Sequence, residues 1–221
     1  MAKLILLRHG QSEWNRQNLF TGWVDVPLSI KGVEESIAAG KALASIPIDV
    51  IFTSKLIRAQ ETVALAMMSH GSGKIPRFVH EEQGWFELCS KEIKQQTIPV
   101  YSSEALNERM YGELQGLNKQ ETIEKFGKDQ IHKWRRSFDQ APPGGESLKM
   151  TAARSIPYFQ EKIVPLLSQG KNVLISAHGN SLRAISMVLD GLSEDLVMQL
   201  EIPTGEPILY TYSTKGWEKD E

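Results

Sequence analysis

The sequence predicts an α/β fold with a mostly parallel central sheet, helices on both faces, and a small accessory insertion. Two observations support this class. Short apolar runs such as Leu4–Leu7 are bounded by polar residues, which is typical of strands buried in a parallel sheet. These runs alternate with stretches of helical periodicity, and strands that alternate with helices build parallel sheets covered by helices.

The first half of the chain contains two predicted strands, each followed by a helix. Leu4–Leu7 is the first strand, and Ser29 then precedes a helix that Pro47 ends. Residues 49–52 form the second strand, and apolar residues at helical spacing continue to Met67. This half of the chain is therefore predicted to form two strand–helix units.

The segment 70–104 departs from this alternation. The sequence GSG at 71–73 breaks the chain, and strands are expected only near 76–79 and 98–101. We interpret this segment as an insertion beside the sheet.

A second helical region begins at Asn118. Asn118 and Glu121 have the spacing of a capping box, and Ile131, Trp134 and Phe138 continue the same apolar face. One helical region is therefore expected here.

The last third of the chain returns to alternation. A loop at 141–146 is followed by a long helix, with a kink expected at Pro157. Strands at 172–176 and 207–213 complete the predicted sheet, and a helix that starts at Ser181 lies between them.

The overall composition excludes several classes of protein. The chain has 221 residues, 41% hydrophobic and 24% charged, with a net charge of −2, so no general attraction to nucleic acid or anionic lipid is expected. No apolar run approaches the length of a membrane span. The single cysteine, Cys89, cannot form an internal disulfide and fits a reducing compartment, so we expect a cytoplasmic location.

Polar side chains follow three of the predicted strands at the point where each strand ends. Arg8 and His9 follow the first strand, Arg58 follows the second within a turn of helix, and His178 and Asn180 follow the strand at 172–176. Ligands of open parallel sheets bind beyond the carboxyl ends of the strands, so we expect these side chains to meet there.

Two histidines, two arginines and helix amino termini at one place favour a site for a phosphoryl group. A single histidine after a strand is more often structural, but His9 and His178 each precede a glycine on parallel strands. A zinc site is the alternative use of two histidines, although zinc takes three or four protein ligands and none stands nearby at ligand spacing. No GxxxxGK[ST] phosphate loop is present.

Eight stretches spread from residue 3 to about residue 212 resemble a known family. Together they resemble the cofactor-dependent phosphoglycerate mutases within the histidine phosphatase superfamily. The RHG motif alone would indicate only the superfamily, whereas FTGW, NERMYG and WRR together indicate the mutase branch. The stretches are LLRHGQSEWN, FTGWVDVPLS, TSKLIRAQET, LNERMYGELQGLNK, WRRSF, PPGGESL, SAHGNSLRA and IPTGEPILY.

The resemblance implies a glycolytic isomerase that interconverts 3-phosphoglycerate and 2-phosphoglycerate. His9 would be the nucleophile, phosphorylated by the cofactor 2,3-bisphosphoglycerate, with no metal required. Arg8, Arg58 and His178 would surround the phosphoryl group, and Glu108 would be the general acid and base.

The resemblance also implies a set of residues that bind small-molecule phosphoglycerates. The chain would be one domain, 1–221, with 70–104 and 105–147 as accessory segments over the active site. Whether it forms a homo-oligomer stays open. The substrate-binding residues would be Ser12, Asn15, Thr21, Gly22, Arg109, Met110, Tyr111, Lys119, Arg135, Arg136, Gly179 and Asn180.

Elementary chemistry agrees with these roles. His9 must be neutral to attack, with its second ring nitrogen held by a hydrogen bond, and a protonated His178 would add a positive donor. From the residues alone, Glu108 could equally be a surface glutamate paired with Arg109.

An alternative interpretation of Lys119, Arg135 and Arg136 is a solvated helix face. A mutase needs such cations beyond His9, because it holds a doubly phosphorylated intermediate. The rival functions are a histidine phosphatase that acts on a small phosphometabolite and a non-catalytic sensor of such a compound.

Overall fold

A computed structural model describes residues 1–80, 84–214 and 216–220. Seven strands within this range form one sheet in the order β3-β4-β2-β5-β1-β6-β7. The first five strands in this sheet order pair in parallel, and β6 and β7 are antiparallel to their neighbours. The α/β prediction is therefore confirmed. The strands are β1 Ala2–Arg8, β2 Val50–Thr53, β3 Ile75–Phe78, β4 Thr97–Ser102, β5 Val173–Ala177, β6 Pro207–Ser213 and β7 Gly216–Lys219.

Helices cover both faces of this sheet because the side chains of β1 alternate between two apolar clusters. Leu4 and Leu6 pack with Phe159 on one face, whereas Ile5 and Leu7 belong to the cluster on the other face. The α-helices are α1 Glu13–Arg16, α2 Ile30–Ala42, α3 Ile57–Ser69, α4 Lys91–Gln95, α5 Lys119–Phe126, α6 Lys128–Arg136, α7 Leu148–Tyr158, α8 Val164–Ser168, α9 Gly179–Leu189 and α10 Glu194–Gln199.

Short 3₁₀ turns lie at Gly84–Leu88, Glu104–Leu106 and Gly112–Leu114. Serine side chains begin several of the α-helices. The Ser29 hydroxyl accepts a hydrogen bond from the amide of Gly32 at the start of α2, as the sequence predicts.

The structure corrects the interpretation of 70–104 as an insertion beside the sheet. Strands β3 and β4 of this segment continue the central sheet, because β4 pairs in parallel with β2 and β3 with β4. Ile98 and Val100 are buried on β4, so the segment has the alternation of a sheet strand. The segment thereby covers what would otherwise be an exposed edge of β2.

The helical region after Asn118 consists of two helices. Gly127 separates α5 from α6 with φ of 82°, a left-handed conformation that glycine tolerates best. Phe138 lies beyond the end of α6 and packs with Leu148 and Val197. The expectation of one continuous face was therefore wrong at this glycine.

Two further helix boundaries differ from the prediction. Helix α9 begins at Gly179, before Ser181, because His178 is extended and acts as its N-cap residue. The long helix with Pro157 contains a π-helical turn at Phe159–Ile163, which separates α7 from α8. π-Helical turns of this kind interrupt the regular pattern of helix hydrogen bonds.

Helix α2 packs directly against the chain that follows β1. A Cβ atom added to Gly32 would collide with the backbone carbonyl of Gln11, and one added to Gly10 would collide with that of Gly32. This contact fixes the backbone just beyond His9.

We predict that Gly32→Ala lowers the free energy of unfolding by about 1–3 kcal/mol, the usual cost of overpacking, because backbone atoms must move to admit the methyl group. Urea denaturation measures this change. Gly84→Ala is the control, since a Cβ atom at Gly84 meets nothing within 4 Å among the residues that the structure describes. Equal stability of the two variants would contradict the close-packing argument.

Candidate active site

The carboxyl ends of three adjacent parallel strands bring the predicted residues together. β1, β5 and β2 are neighbours in the sheet and point the same way. The amide of His9 donates to the carbonyl of Ala177 at 3.0 Å, so the β1–β5 pairing continues into the site. As the sequence predicts, the side chains that follow these strands therefore meet at one edge.

His9 is a buried neutral imidazole in a fixed orientation. Its Nδ1 lies 2.6 Å from the carbonyl oxygen of Gly10, which can only accept, so Nδ1 carries the proton and Nε2 keeps its lone pair. Burial lowers the pKa of His9 well below its ordinary value, and the charges of Arg58 and Arg8 lower it further. The hydrogen bond to Gly10 opposes these effects without overcoming them.

The ring of His178 lies beside that of His9, with 4.8 Å between the ring centroids. Burial, followed by the charges of Arg58 and other neighbours, lowers its pKa well below the ordinary value. The expectation of a protonated His178 is therefore wrong for the free protein.

A neutral His178 can still donate a hydrogen bond. Its Nε2 lies 2.7 Å from the hydroxyl of Ser54, which already accepts from the amide of Leu56. When that hydroxyl donates to Nε2, the proton resides on Nδ1, which has no partner among the residues that the structure describes. Nδ1 is then a free donor.

The two arginines are held by carbonyl oxygens. Arg58 is buried and donates to the carbonyls of Val24 and Gly22 at 2.9 and 2.7 Å. Burial lowers its pKa to about 10, so it keeps its charge at neutral pH. Arg8 donates to the carbonyl of Ile202 at 2.8 Å, and its Nε is buried without a partner in the described chain. Their positive charge is therefore available to an anion.

One oxygen of Glu108 is fixed and the other is free. Oε1 accepts from the amides of Arg109 and Asn180 at 2.7 and 3.2 Å and from the side chain of Asn180 at 2.8 Å. Oε2 has no hydrogen bond within the described residues and lies 3.8 Å from the position of a Cβ added to Gly179. The Arg109 guanidinium instead donates to the hydroxyl of Tyr111, so the surface pair considered above does not form.

These groups face a cleft of about 160 Å³. Among its described lining residues, six are lysines or arginines and two are glutamates, so the cleft is strongly cationic in a chain of net charge −2. The lining residues are Arg8, His9, Asn15, Leu19, Phe20, Thr21, Gly22, Arg58, Glu108, Tyr111, Lys119, Arg135, Arg136, Gly179, Asn180, Arg183 and Glu201.

Four predicted residues do not line this cleft. His178 lies beside His9, and its Nδ1 has no partner among the described residues. Ser12 is a buried N-cap residue whose hydroxyl accepts from an amide of α1. Arg109 is fully buried, and the backbone of Met110 is hydrogen-bonded to Glu146. Ser12, Arg109 and Met110 therefore support the wall of the cleft, whereas His178 keeps a free donor beside His9.

The two accessory segments differ in their relation to the cleft. Several of its lining residues come from 105–147, whereas none comes from the described part of 70–104. For 70–104 this lining gives no support for a position over the active site, which stays a prediction.

Sequence reasoning missed Arg183 and Glu201. Arg183 donates to the side chain of Asn180 at 3.2 Å and to the carbonyl of Leu200 at 2.6 Å. Glu201 pairs with Arg136 at 2.8 Å and with Arg183 at 3.5 Å. The spacing of Arg183 from Asn180, three residues along α9, is the signal that could have found it. No local signal marks Glu201, which lies in a loop.

Phe20 lies beside two of the outer cations. The Nζ of Lys119 and the guanidinium carbon of Arg135 each lie 5.9 Å from the centre of its ring. Burial lowers the pKa of Lys119, and the neighbouring charge of Arg135 lowers it further. Lys119 and Arg135 thus add two cations to the cleft that Arg8 and Arg58 also line.

No group of three or more side chains that could hold a metal occurs in the described parts of the chain. None of the described helices is long and apolar enough to cross a membrane.

A parallel sheet that presents a neutral, oriented histidine to a cationic cleft defines a protein of phosphoryl-transfer chemistry. Residues 4–88 and 86–221 match the family model described as histidine phosphatase superfamily (branch 1). The chain belongs to this superfamily.

Several curated relatives share one description, "2,3-bisphosphoglycerate-dependent phosphoglycerate mutase". The protein of Protochlamydia amoebophila is 58% identical in an alignment of 225 residues that covers 100% of each chain. The protein of Chlamydia trachomatis is 56% identical over 99% of this chain and 97% of its own. An Arabidopsis thaliana protein of that description, numbered 1, is 59% identical over 96% of this chain and 64% of its own.

Solved structures share the fold at lower identity. A protein described as "Mycobacterial hydrolase 1" has a TM-score of 0.78 and 23% identity over 100% of this chain and 98% of its own. A mycobacterial glucosyl-3-phosphoglycerate phosphatase has a TM-score of 0.77 and 23% identity over the same shares. These likenesses concern the fold alone.

We predict that the free energy of unfolding decreases as the pH falls below about 6.5. His9 and His178 have folded pKa values below that of the unfolded chain, so the unfolded chain binds more protons in this range. Each histidine contributes a slope that approaches about 1.4 kcal/mol per pH unit.

Urea denaturation from about pH 8 to about pH 5 measures this slope. His178→Asn should reduce it by one histidine's share, and replacement of His132, which is exposed on α6, serves as the control. A slope that is unchanged in His178→Asn would refute the neutral buried state of His178.

Proposed function

We propose that this chain acts as a 2,3-bisphosphoglycerate-dependent phosphoglycerate mutase, which interconverts 3-phosphoglycerate and 2-phosphoglycerate. The observation that carries the proposal is the pairing of a buried neutral His9 with cations that extend beyond it to Lys119 and Arg136. The shared description of the full-length relatives supports the same activity. The enzyme would work in the cytoplasm, where it would catalyse a step of glycolysis.

The cleft suits a substrate that carries anionic groups at more than one place. Arg8 and Arg58 lie with His9, while Lys119, Arg135 and Arg136 also line the cleft. The buried hydroxyl of Thr21 and the Nε of Arg8 lack partners among the described residues and are free to bind phosphate or carboxylate oxygens. When bound, 2,3-bisphosphoglycerate supplies the phosphoryl group that His9 accepts.

His9 is the nucleophile in this proposal. Its Nε2 lone pair would attack phosphorus while the bond from phosphorus to the donor's ester oxygen breaks, and that oxygen would take a proton from Glu108. The Nδ1–H bond to the carbonyl of Gly10 stabilises the positive charge that develops on the ring. The low pKa keeps the ring unprotonated before the attack. The close packing of Gly10 against α2 limits rotation of this backbone.

Arg8, Arg58 and His178 bind the phosphoryl oxygens. Charge spreads over these oxygens during transfer, and donors already in place stabilise it without reorganisation. Arg58 can do so because its two carbonyl partners orient it and do not neutralise it.

Glu108 moves the proton. Oε1 accepts three hydrogen bonds, so Oε2 is the oxygen that takes a proton from the attacking hydroxyl and returns one to the leaving oxygen. Asn180 therefore acts through Glu108, and Tyr111 is placed by the buried guanidinium of Arg109.

We predict that His9→Ala abolishes both isomerisation and phosphoenzyme formation while the protein stays folded. The experiment incubates the protein with labelled 2,3-bisphosphoglycerate, seeks acid-labile label on His9, and follows 3-phosphoglycerate conversion. A wild-type enzyme that releases phosphate without isomerisation would establish a phosphatase instead. Activity retained by His9→Ala would exclude the phosphohistidine.

We predict that Glu108→Gln lowers kcat by about 10²–10⁴-fold, the usual value of general acid–base catalysis, and leaves KM within about threefold. The amide keeps the shape of the side chain but cannot act as a general acid or base. Glu113→Gln, a change at an exposed residue on the following turn, is the matched control. If KM rose sharply while kcat persisted, Glu108 would be a binding residue.

A further inference from the structure

The segment that carries Glu108 has little regular structure of its own. A 3₁₀ turn covers Glu104–Leu106, and residues 107–111 belong to no helix or strand. The backbone of a strand residue is positioned by its ladder of hydrogen bonds, but the backbone of Glu108 has no such ladder. Side chains of other elements must therefore hold this backbone in place.

Arg154 supplies much of this support from helix α7. Its Nη1 lies 3.1, 3.0 and 3.0 Å from the carbonyl oxygens of Glu104, Ala105 and Asn107, and its Nη2 lies 2.9 Å from the carbonyl of Glu108. One guanidinium therefore binds four carbonyls of a five-residue stretch. Such a planar fork of donors is specific to arginine.

Glu146 fixes the guanidinium from the other side. Its two carboxylate oxygens accept from the Nε and Nη2 of Arg154 at 3.0 and 2.9 Å. One of them, Oε2, also accepts from the amide of Met110 at 3.0 Å. Although burial would raise the pKa of Glu146, its hydrogen bonds with Arg154 and Met110 hold that pKa below the ordinary value, so the pair is ionised.

The carbonyl of Glu108 is also the point where this network joins the phosphoryl site. It accepts a second hydrogen bond, at 2.5 Å, from the indole of Trp23, over whose ring the Arg154 guanidinium lies at 5.5 Å. Trp23 directly follows Gly22, whose carbonyl binds Arg58. Arg154 and Trp23 together therefore set the position of Glu108 relative to Arg58.

We infer that Arg154, oriented by Glu146, is a positioning residue that places the Glu108 carboxylate for proton transfer. Neither Arg154 nor Glu146 lines the cleft, and their charged groups already bind each other and the backbone of 104–110, so we assign them no contact with the substrate. The inference rests on the proposed function for its kinetic consequences. A displacement of about 1 Å in a catalytic group costs about 10²-fold in rate, so this is the scale of the expected effect.

The test compares Arg154→Ala with Arg77→Ala, an arginine at the sheet edge that contacts Phe86 and lies outside the cleft. Sites that form phosphohistidine are counted, and kcat is expressed per such site. Arg154→Ala should lower this kcat by about 10²-fold with KM within about threefold, whereas Arg77→Ala should match wild type. A normal kcat per site in Arg154→Ala would reduce Arg154 to a structural residue and overturn the inference.

Two further measurements separate positioning from loss of folding. Added guanidinium ion should raise the kcat of Arg154→Ala about tenfold or more. Arg154→Lys should fold but keep a low kcat, because an ammonium group cannot span four carbonyls. Amide hydrogen exchange should show faster exchange at 104–110 in both variants but not in Arg77→Ala.

Unchanged exchange at 104–110, or full activity in Arg154→Lys, would contradict the inference. Failure of the proposed function is distinguishable from these outcomes. A wild-type protein without isomerase activity would end that proposal, while the exchange data would still decide whether Arg154 fixes the segment.

Discussion

Two guanidinium groups, those of Arg8 and Arg58, lie at the end of the sheet with carbonyl oxygens as their partners. A carboxylate in the same place would neutralise them, and an anionic ligand would then have to displace it. Carbonyl dipoles satisfy the N–H groups and leave the net charge in place. The cost is visible in Arg58, whose pKa falls to about 10 on burial. Glu108 and Asp25 interact with Arg58 electrostatically, but neither forms an ion pair with it, and the rest of the site depends on the charge that remains.

The state of the histidines is one consequence. Burial lowers the pKa of His9 and His178, and the charges that would bind a phosphoryl group lower it further, so the nucleophile is neutral before the anion arrives. Once a phosphoryl group occupies the site, its negative charge offsets the arginines, and a positive ring at His9 becomes less costly. The same electrostatic field thus favours attack in the free site and stabilises the charged product of that attack.

The strand-end residues could be predicted from the sequence because their signals are local. A short apolar run followed by Arg8 and His9 specifies both the strand and its exit, and the Ser29 cap specifies a helix. Contacts between distant segments left no such signal. The role of β4 in the sheet and the bond between Glu201 and Arg136 arise only on folding. Arg154 is the extreme case, since it reads as an ordinary helix residue and yet binds four carbonyls about fifty residues away.

The site therefore has two parts with different origins. The sheet positions His9, Arg8 and the start of α9 through regular hydrogen bonding, which tolerates wide sequence change, as the shared fold at 23% identity illustrates. Glu108 and the outer cations lie on irregular chain or short helices, whose positions depend on particular side chains such as Arg154 and Phe20. In the reaction proposed above, transfer to a bound hydroxyl would require these side chains to hold their places, whereas transfer to water would not require the outer cations. The choice between these two acceptors would thus depend less on the sheet than on the side chains that fix residues 104–136 against it.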